Sequence, residues 1–143
     1  MWKVSLMAKD IFHEQVKEAL IKDGWEITHD PYSLNHLKRK MEIDLGAEKI
    51  IVAEKGSAKI AVEVKSFLSH SRLYDYHEAL GQFHTYRRIL QKTDTERILF
   101  LAVPEDAYDE FFDTPFGQEA IEEENLKILV YNPHLKEIIL WVS

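Results

Sequence analysis

The 143-residue chain has no cysteine, which removes disulfide frameworks, thiol catalysis and every Cys-ligated zinc or iron–sulfur site. Glycine and proline are scarce, at 5 and 4 residues, so collagen-like repeats and low-complexity linkers are excluded as descriptions of the chain. No apolar run approaches the roughly 20 residues needed to cross a bilayer, and Met1-Trp-Lys-Val-Ser-Leu-Met7 is too short for a signal-peptide core. Positive charge is also in deficit: the net charge is −7, so the protein cannot coat nucleic acid by bulk electrostatics, and any such contact needs a local basic patch. What is present is a foldable composition, 45% hydrophobic and 30% charged, at a length that buries roughly 70% of the unfolded chain's surface. The expectation is one cytoplasmic globular domain spanning residues 1–143, with 1–7 as a loose leader.

Hydrophobic periodicity predicts the elements. Asp10 to Asp23 reads as a helix capped by Asp10 and stopped by Gly24, with Ile11, Phe12, Val16, Ala19 and Leu20 repeating at helical period. Trp25 to His29 alternates as a half-buried strand closed by Pro31, and a polar, basic stretch follows. Met41 to Leu45 reads as a strand with Met41, Ile43 and Leu45 on the core face and Glu42 and Asp44 on the other. Lys49–Glu54 and Lys59–Lys65, separated by Lys55-Gly56-Ser57, form a hairpin signal. A helix is predicted from about Ser71 to Gln91 with Leu73, Tyr76, Leu80, Phe83, Ile89 and Leu90 as its stripe, and Arg97–Val103 reads as a central strand covered on both faces. Helix near Phe116–Glu124 and strands at Leu126–Tyr131 and Ile138–Val142 complete an α/β protein with a mixed sheet.

The chemistry-bearing pattern is Glu63-Val64-Lys65, in which Glu63 and Lys65 project to one face of a strand, with Asp44 ending a preceding strand. Two carboxylates and the Val64 carbonyl suit Mg²⁺, or Mn²⁺, because these ions take oxygen ligands and leave positions for water and phosphate. The same residues are compatible with a solvated strand face. Gln82 and Tyr86, four apart on the long helix, share one helix face.

Asp44, Glu63-x-Lys65 and Gln82-xxx-Tyr86 together resemble the PD-(D/E)XK superfamily, with its restriction-endonuclease-like mixed central sheet flanked by helices. That resemblance implies Asp44, Glu63 and Val64 as metal ligands. It gives Lys65 the attacking water, and Gln82 and Tyr86 the support of phosphate or Lys65. The superfamily's acidic residue on the first helix falls at His13, with Glu14 beside it, so Glu14 is carried as the candidate, with His13 itself at the site edge as the alternative. The longer string Ala8–His13, Asp23-Gly-Trp25, Asp44-Leu-Gly-Ala47, Val62–Phe67 and Gly81–Tyr86 is similar to the XisH family, the fdxN element excision controlling factor proteins. It implies a cyanobacterial factor for programmed DNA excision that works with a site-specific recombinase and the companion protein XisI, and a homodimer is a further possible assembly. The alternative function is a non-catalytic DNA-binding or protein-binding accessory factor.

Two rival patterns carry less. His70, His77 and His84 recur every seven residues, about 10.5 Å along a helix, too far for one ion. Lys38, Arg39, Lys40, Arg72, Arg87 and Arg88 flank the motif and are either a phosphate-contacting rim or solvated faces; the acidic run Glu119–Glu124 reads as a solvated helix face.

Overall fold

A six-stranded mixed sheet in the order β1-β4-β5-β6-β7-β8 separates two apolar layers, one roofed by the first helix and the other by the later ones. The computed structural model describes residues 2–50 and 57–143, with side chains at 11–46 and 58–143. The elements run α1 (Trp2–Lys22), β1 (Glu26–His29), β2 (Tyr32–His36), β3 (Arg39–Ile43), β4 (Leu45–Ile50), β5 (Ser57–Val64), α2 (Arg72–Thr93), β6 (Arg97–Pro104), α3 (Glu105–Ala107), a π-helical turn (Tyr108–Phe112), α4 (Pro115–Glu123), β7 (Ile128–Asn132) and β8 (Glu137–Val142). β5, β6 and β7 are parallel, while β1, β4 and β8 pair antiparallel with their neighbours.

Alternation along β5 sorts its side chains between the layers. Ile60, Val62 and Val64 join Val16 and Leu20 of α1, while Ala61 faces the layer holding Tyr76, Phe83 and Leu90 of α2. β6 is central and buried from Leu99 to Pro104, as its unbroken apolar run predicts. The hairpin expectation holds in the β4–β5 pairing, Leu45↔Val62 through Ile50↔Ser57; its predicted turn lies partly outside the described residues.

Four expectations need correction. α1 begins at Trp2 rather than Asp10, taking in the segment read as a leader; no glycine or proline interrupts Trp2–Asp10, so nothing forces a start at Asp10. β1 ends at His29, before Pro31, as expected, but the polar stretch that follows is not without strands: β2 and β3 pair there as a separate two-stranded sheet. Leu37 and Lys38 turn that hairpin with φ of 48° and 63°, the paired positive φ of a type I′ turn. Met41–Leu45 is not one strand, because Ile43 is buried in the α2 layer and Leu45 in the α1 layer, so the chain changes sheets at Asp44. Leu73 is 46% exposed; the buried stripe of α2 runs through Tyr76, Ala79, Phe83, Ile89 and Leu90.

The β2–β3 hairpin is tied to β6 by one acid. Asp94 accepts from the Tyr32 hydroxyl (2.7 Å) and from Arg97 Nε (3.0 Å), and Arg97, itself buried, lies over the Tyr32 ring and donates to the Ile60 carbonyl. Burial works to raise the Asp94 pKa, but the Tyr32 and Arg97 bonds outweigh it and hold the carboxyl below its ordinary value. Its stabilising effect is therefore present above the ordinary carboxylate range and is lost as pH falls through the depressed folded value. Asp94→Ala is expected to cost about 2 kcal/mol at neutral pH, and urea titrations of the two proteins should converge in acid.

Two glycines make opposite predictions. A Cβ at Gly117 would come within 2.5 Å of the Phe112 Cα and carbonyl oxygen and closer still to the Phe111 carbonyl. This is backbone that cannot give way, so Gly117→Ala should cost about 3 kcal/mol. A Cβ at Gly81, in mid-α2, meets nothing within 4 Å, so Gly81→Ala should stabilise by up to about 1 kcal/mol. Thermal denaturation of both variants checks the pair.

Candidate active site

The change of sheet at Asp44 builds the site. β4 begins one residue later, and Leu45 pairs with Val62, so among the described residues no strand lies beside the β5 edge beyond that pair. The Lys65 N–H turns to β6 and donates to the Ala102 carbonyl (2.9 Å); the alternation of amides along a strand therefore points Val64 to the opposite edge. There its N–H donates to Asp44 Oδ2 (2.8 Å). The Val64 carbonyl shares that edge, as strand geometry requires, and Asp44 is thereby held beside Glu63-Val64-Lys65.

Glu63 is 7% exposed, on the β5 face opposite Val62 and Val64. Tyr86 reaches the same place from α2: burial raises its phenol pKa, and the negative charges of Glu63 and Asp44 raise it further. Gln82 lies one turn earlier on α2, and its Oε1 is buried without a hydrogen bond from any described residue. Lys65 Nζ lies 3.7 Å from Glu78 Oε1, and Glu78, Gln82 and Tyr86 succeed one another at four-residue steps on one face. A cavity of about 340 Å³ opens beside Lys65, lined by Ser66, Phe67, Leu68, Tyr74, Asp75 and Glu78 among others.

The α1 residue that meets Asp44 is His13, not Glu14. His13 Nδ1 lies 3.8 Å from Asp44 Oδ1, and its Nε2 bonds Asp30 at 2.7 Å. The adjacent Asp44 carboxylate raises its pKa, burial opposes this, and Asp30 adds to the rise, to about 9. Lys17 holds the other Asp30 oxygen at 2.8 Å. Glu14 is exposed; one ligand atom each from His13, Glu14 and Asp30 lies within 4.8 Å of the others. With an imidazolium and a lysine inside it, that cluster is an ion-pair network rather than a metal cage. Of the alternatives His13 and Glu14, His13 is the one beside Asp44; sequence reasoning missed Asp30 and Glu78 as site neighbours, and of these only Glu78 left a signal, its spacing from Gln82 and Tyr86.

The donor set fits a hard divalent ion: carboxylate oxygens of Asp44 and Glu63 and the Val64 carbonyl, with no soft ligand. Asp44 and Glu63 bring negative charge to this spot, which raises the Tyr86 phenol beyond the larger effect of burial, and that charge favours a cation. The predicted rim is not uniform. Arg72 is engaged by Glu110 (2.7 Å) and the Phe67 carbonyl, and Arg87 by the Asn125 and Glu124 carbonyls and His84. His84 in turn bonds Glu124 at 2.8 Å. Lys38, Arg39 and Lys40 stand exposed at the tip of the β2–β3 hairpin, and Arg88 is exposed on α2.

A mixed six-stranded sheet between helical layers, with these groups at the open edge of β5, defines an α/β protein of the restriction-endonuclease-like class. Within that class the chain belongs to the XisH family, whose model matches residues 6–139. It is similar to the crystal structure of an XisH family protein from Nostoc punctiforme PCC 73102, at 42% identity and a TM-score of 0.84, over 93% of this chain and 99% of that one. It is also similar to a fdxN element excision controlling factor protein from Anabaena variabilis, at 43% identity and a TM-score of 0.83, over 94% of this chain and 99% of that one. Among curated proteins none matches the chain.

Proposed function

We propose that this chain is a divalent-metal-dependent DNA phosphodiesterase acting in programmed excision of a DNA element. The supporting observation is the Val64 N–H···Asp44 bond, which sets a second carboxylate against Glu63-Val64-Lys65 at the edge where Tyr86 arrives. Asp44, Glu63 and the Val64 carbonyl would hold Mg²⁺ or Mn²⁺, which when bound polarises the phosphate and lowers the pKa of its water. Lys65 orients the attacking water and holds a proton near it, steadied by Glu78. Gln82 Oε1 and the Tyr86 hydroxyl position the phosphate or the lysine, and Glu14 lies outside this group.

One observation favours a shared task. Arg72 and Arg87 are engaged within the protein and the net charge is −7, so bare duplex is held weakly at physiological salt. The hairpin tip Lys38-Arg39-Lys40 and Arg88 on α2 are the exposed rim residues left to meet phosphates. The companion XisI and the recombinase would supply the remaining contacts, in the cytoplasm, and an accessory role without cleavage is the competing reading. Titrating Mg²⁺ into supercoiled DNA, with the protein alone and with its companion, tests this. Nicked or linear DNA that appears with metal, disappears with chelator and increases with the companion supports it. Intact DNA under Mg²⁺ and Mn²⁺ in both mixtures overturns it.

A further inference from the structure

The sheet has two edges of different character. β1, at one edge, is four residues long, with Glu26, Thr28 and His29 exposed. β8, at the other, is the six-residue Glu-Ile-Ile-Leu-Trp-Val, and no described strand lies along its outer side. It has no proline or lysine, and its one charge is at its first position. Exposed edges are normally blunted by shortness, charge, proline or a bulge; of these devices β8 carries the terminal Glu137 and one bulge, in its pairing with β7. Ile139 and Leu140 are 46% and 42% exposed.

The pairing of β8 with β7 decides what can occupy that edge. Tyr131 pairs with Ile138 and Val130 with Leu140, so Ile139 is the extra residue of a bulge. Ile138 and Trp141 consequently face the α1 layer, whereas Val142 faces the α2 layer with Leu140, opposite Val130. Two antiparallel copies of a strand must place residues of the same face opposite one another. In an unbulged strand a two-fold centred between two residues fails this condition; here the bulge lets the one centred between Ile139 and Leu140 meet it. Ile138 then faces Trp141, Glu137 faces Val142, and Ile139 faces Leu140. No like charges meet, and each apolar side chain meets another or the stem of Glu137.

We propose that β8 is a self-pairing edge and that its occupant is β8 of a second copy of this chain, giving a continuous twelve-stranded sheet. A single strand pair falls at the small end of specific interfaces, under about 1,200 Å², so the dimer is reversible, with dissociation in the micromolar range. The inference is independent of the cleavage proposed above. Sedimentation velocity of the full chain from about 1 to 200 µM should show a concentration-dependent dimer. Leu140→Lys should abolish it while leaving the circular dichroism spectrum unchanged. The native absence of cysteine permits a second test of register. Ile139→Cys and Leu140→Cys proteins, mixed and oxidised, should cross-link to each other several-fold more than either does alone. A monomer over the whole range, a dimer that survives in folded Leu140→Lys, or equal cross-linking in all three mixtures would overturn the proposal.

Discussion

Lys65→Ala is expected to lower metal-dependent DNA cleavage about 100-fold or more while DNA affinity stays within about twofold. A lysine that orders the attacking water acts mainly in the transition state, so its loss lowers kcat and kcat/KM together rather than weakening binding. Lys59 is the matched control. It lies six residues earlier on β5, on the same face by parity, about 20 Å away at strand rise, and within 3.9 Å of Glu96. Lys59→Ala should change neither quantity. Glu63→Gln separates metal from water: it should raise the metal requirement and be partly rescued by Mn²⁺ or excess Mg²⁺, whereas Lys65→Ala should not. Single-turnover cleavage with a DNA-binding assay in Ca²⁺ distinguishes these outcomes, and cleavage unaltered in Lys65→Ala would make the lysine a surface residue.

Asp44→Asn is expected to be as damaging to cleavage, because an amide can still accept from the Val64 N–H but brings no charge to a cation. It should also change a second, independent quantity. In metal-free protein His13 titrates near 9, raised first by Asp44, against burial, with Asp30 adding. A folded pKa above the unfolded value contributes stability that is fully present below about 6.5 and is lost as pH rises through about 9. Asp44→Asn should move the His13 titration down, seen by NMR of the imidazole protons, and shrink the alkaline loss of stability in urea melts between pH 6.5 and 9.5. An unshifted His13 would mean that Asp30 alone holds the imidazolium.

The sheet and its helices were legible wherever one period dominated a segment. The Arg97–Val103 run, the β4–β5 hairpin and the α2 stripe all announce themselves locally, as do Gly24, which ends α1 with a φ of 91°, and Ser71, whose side chain caps α2. The candidate site was legible as residue types, since Asp44, Glu63, Lys65, Gln82 and Tyr86 could be named from spacing and resemblance. Their arrangement was not. Nothing in Met41-Glu-Ile-Asp-Leu45 signals that the chain leaves one sheet and enters another at the fourth residue, because a break between two strands preserves the same alternation as one strand. The Tyr32-Ser-Leu-Asn-His36 strand hid behind polar composition, and its β partner is decided by the turn at Leu37 and Lys38. His13 was visible at the expected acid's position, as an alternative to Glu14; its contact with Asp44 depends on how α1 crosses the sheet, which no local pattern encodes.

The bond from the Val64 amide to Asp44 has a kinetic meaning as well. In the body of a sheet an amide is protected by a neighbouring backbone, and its exchange with solvent reports strand separation. This amide is protected by a carboxylate at the point where the hairpin, α1 and β5 converge, so it opens whenever any one of them lifts, even with the sheet intact. Deuterium uptake at Val64 should therefore run ahead of Val62 and slow when a divalent ion is added. That one proton becomes a clock for assembly of the site, readable without substrate or turnover.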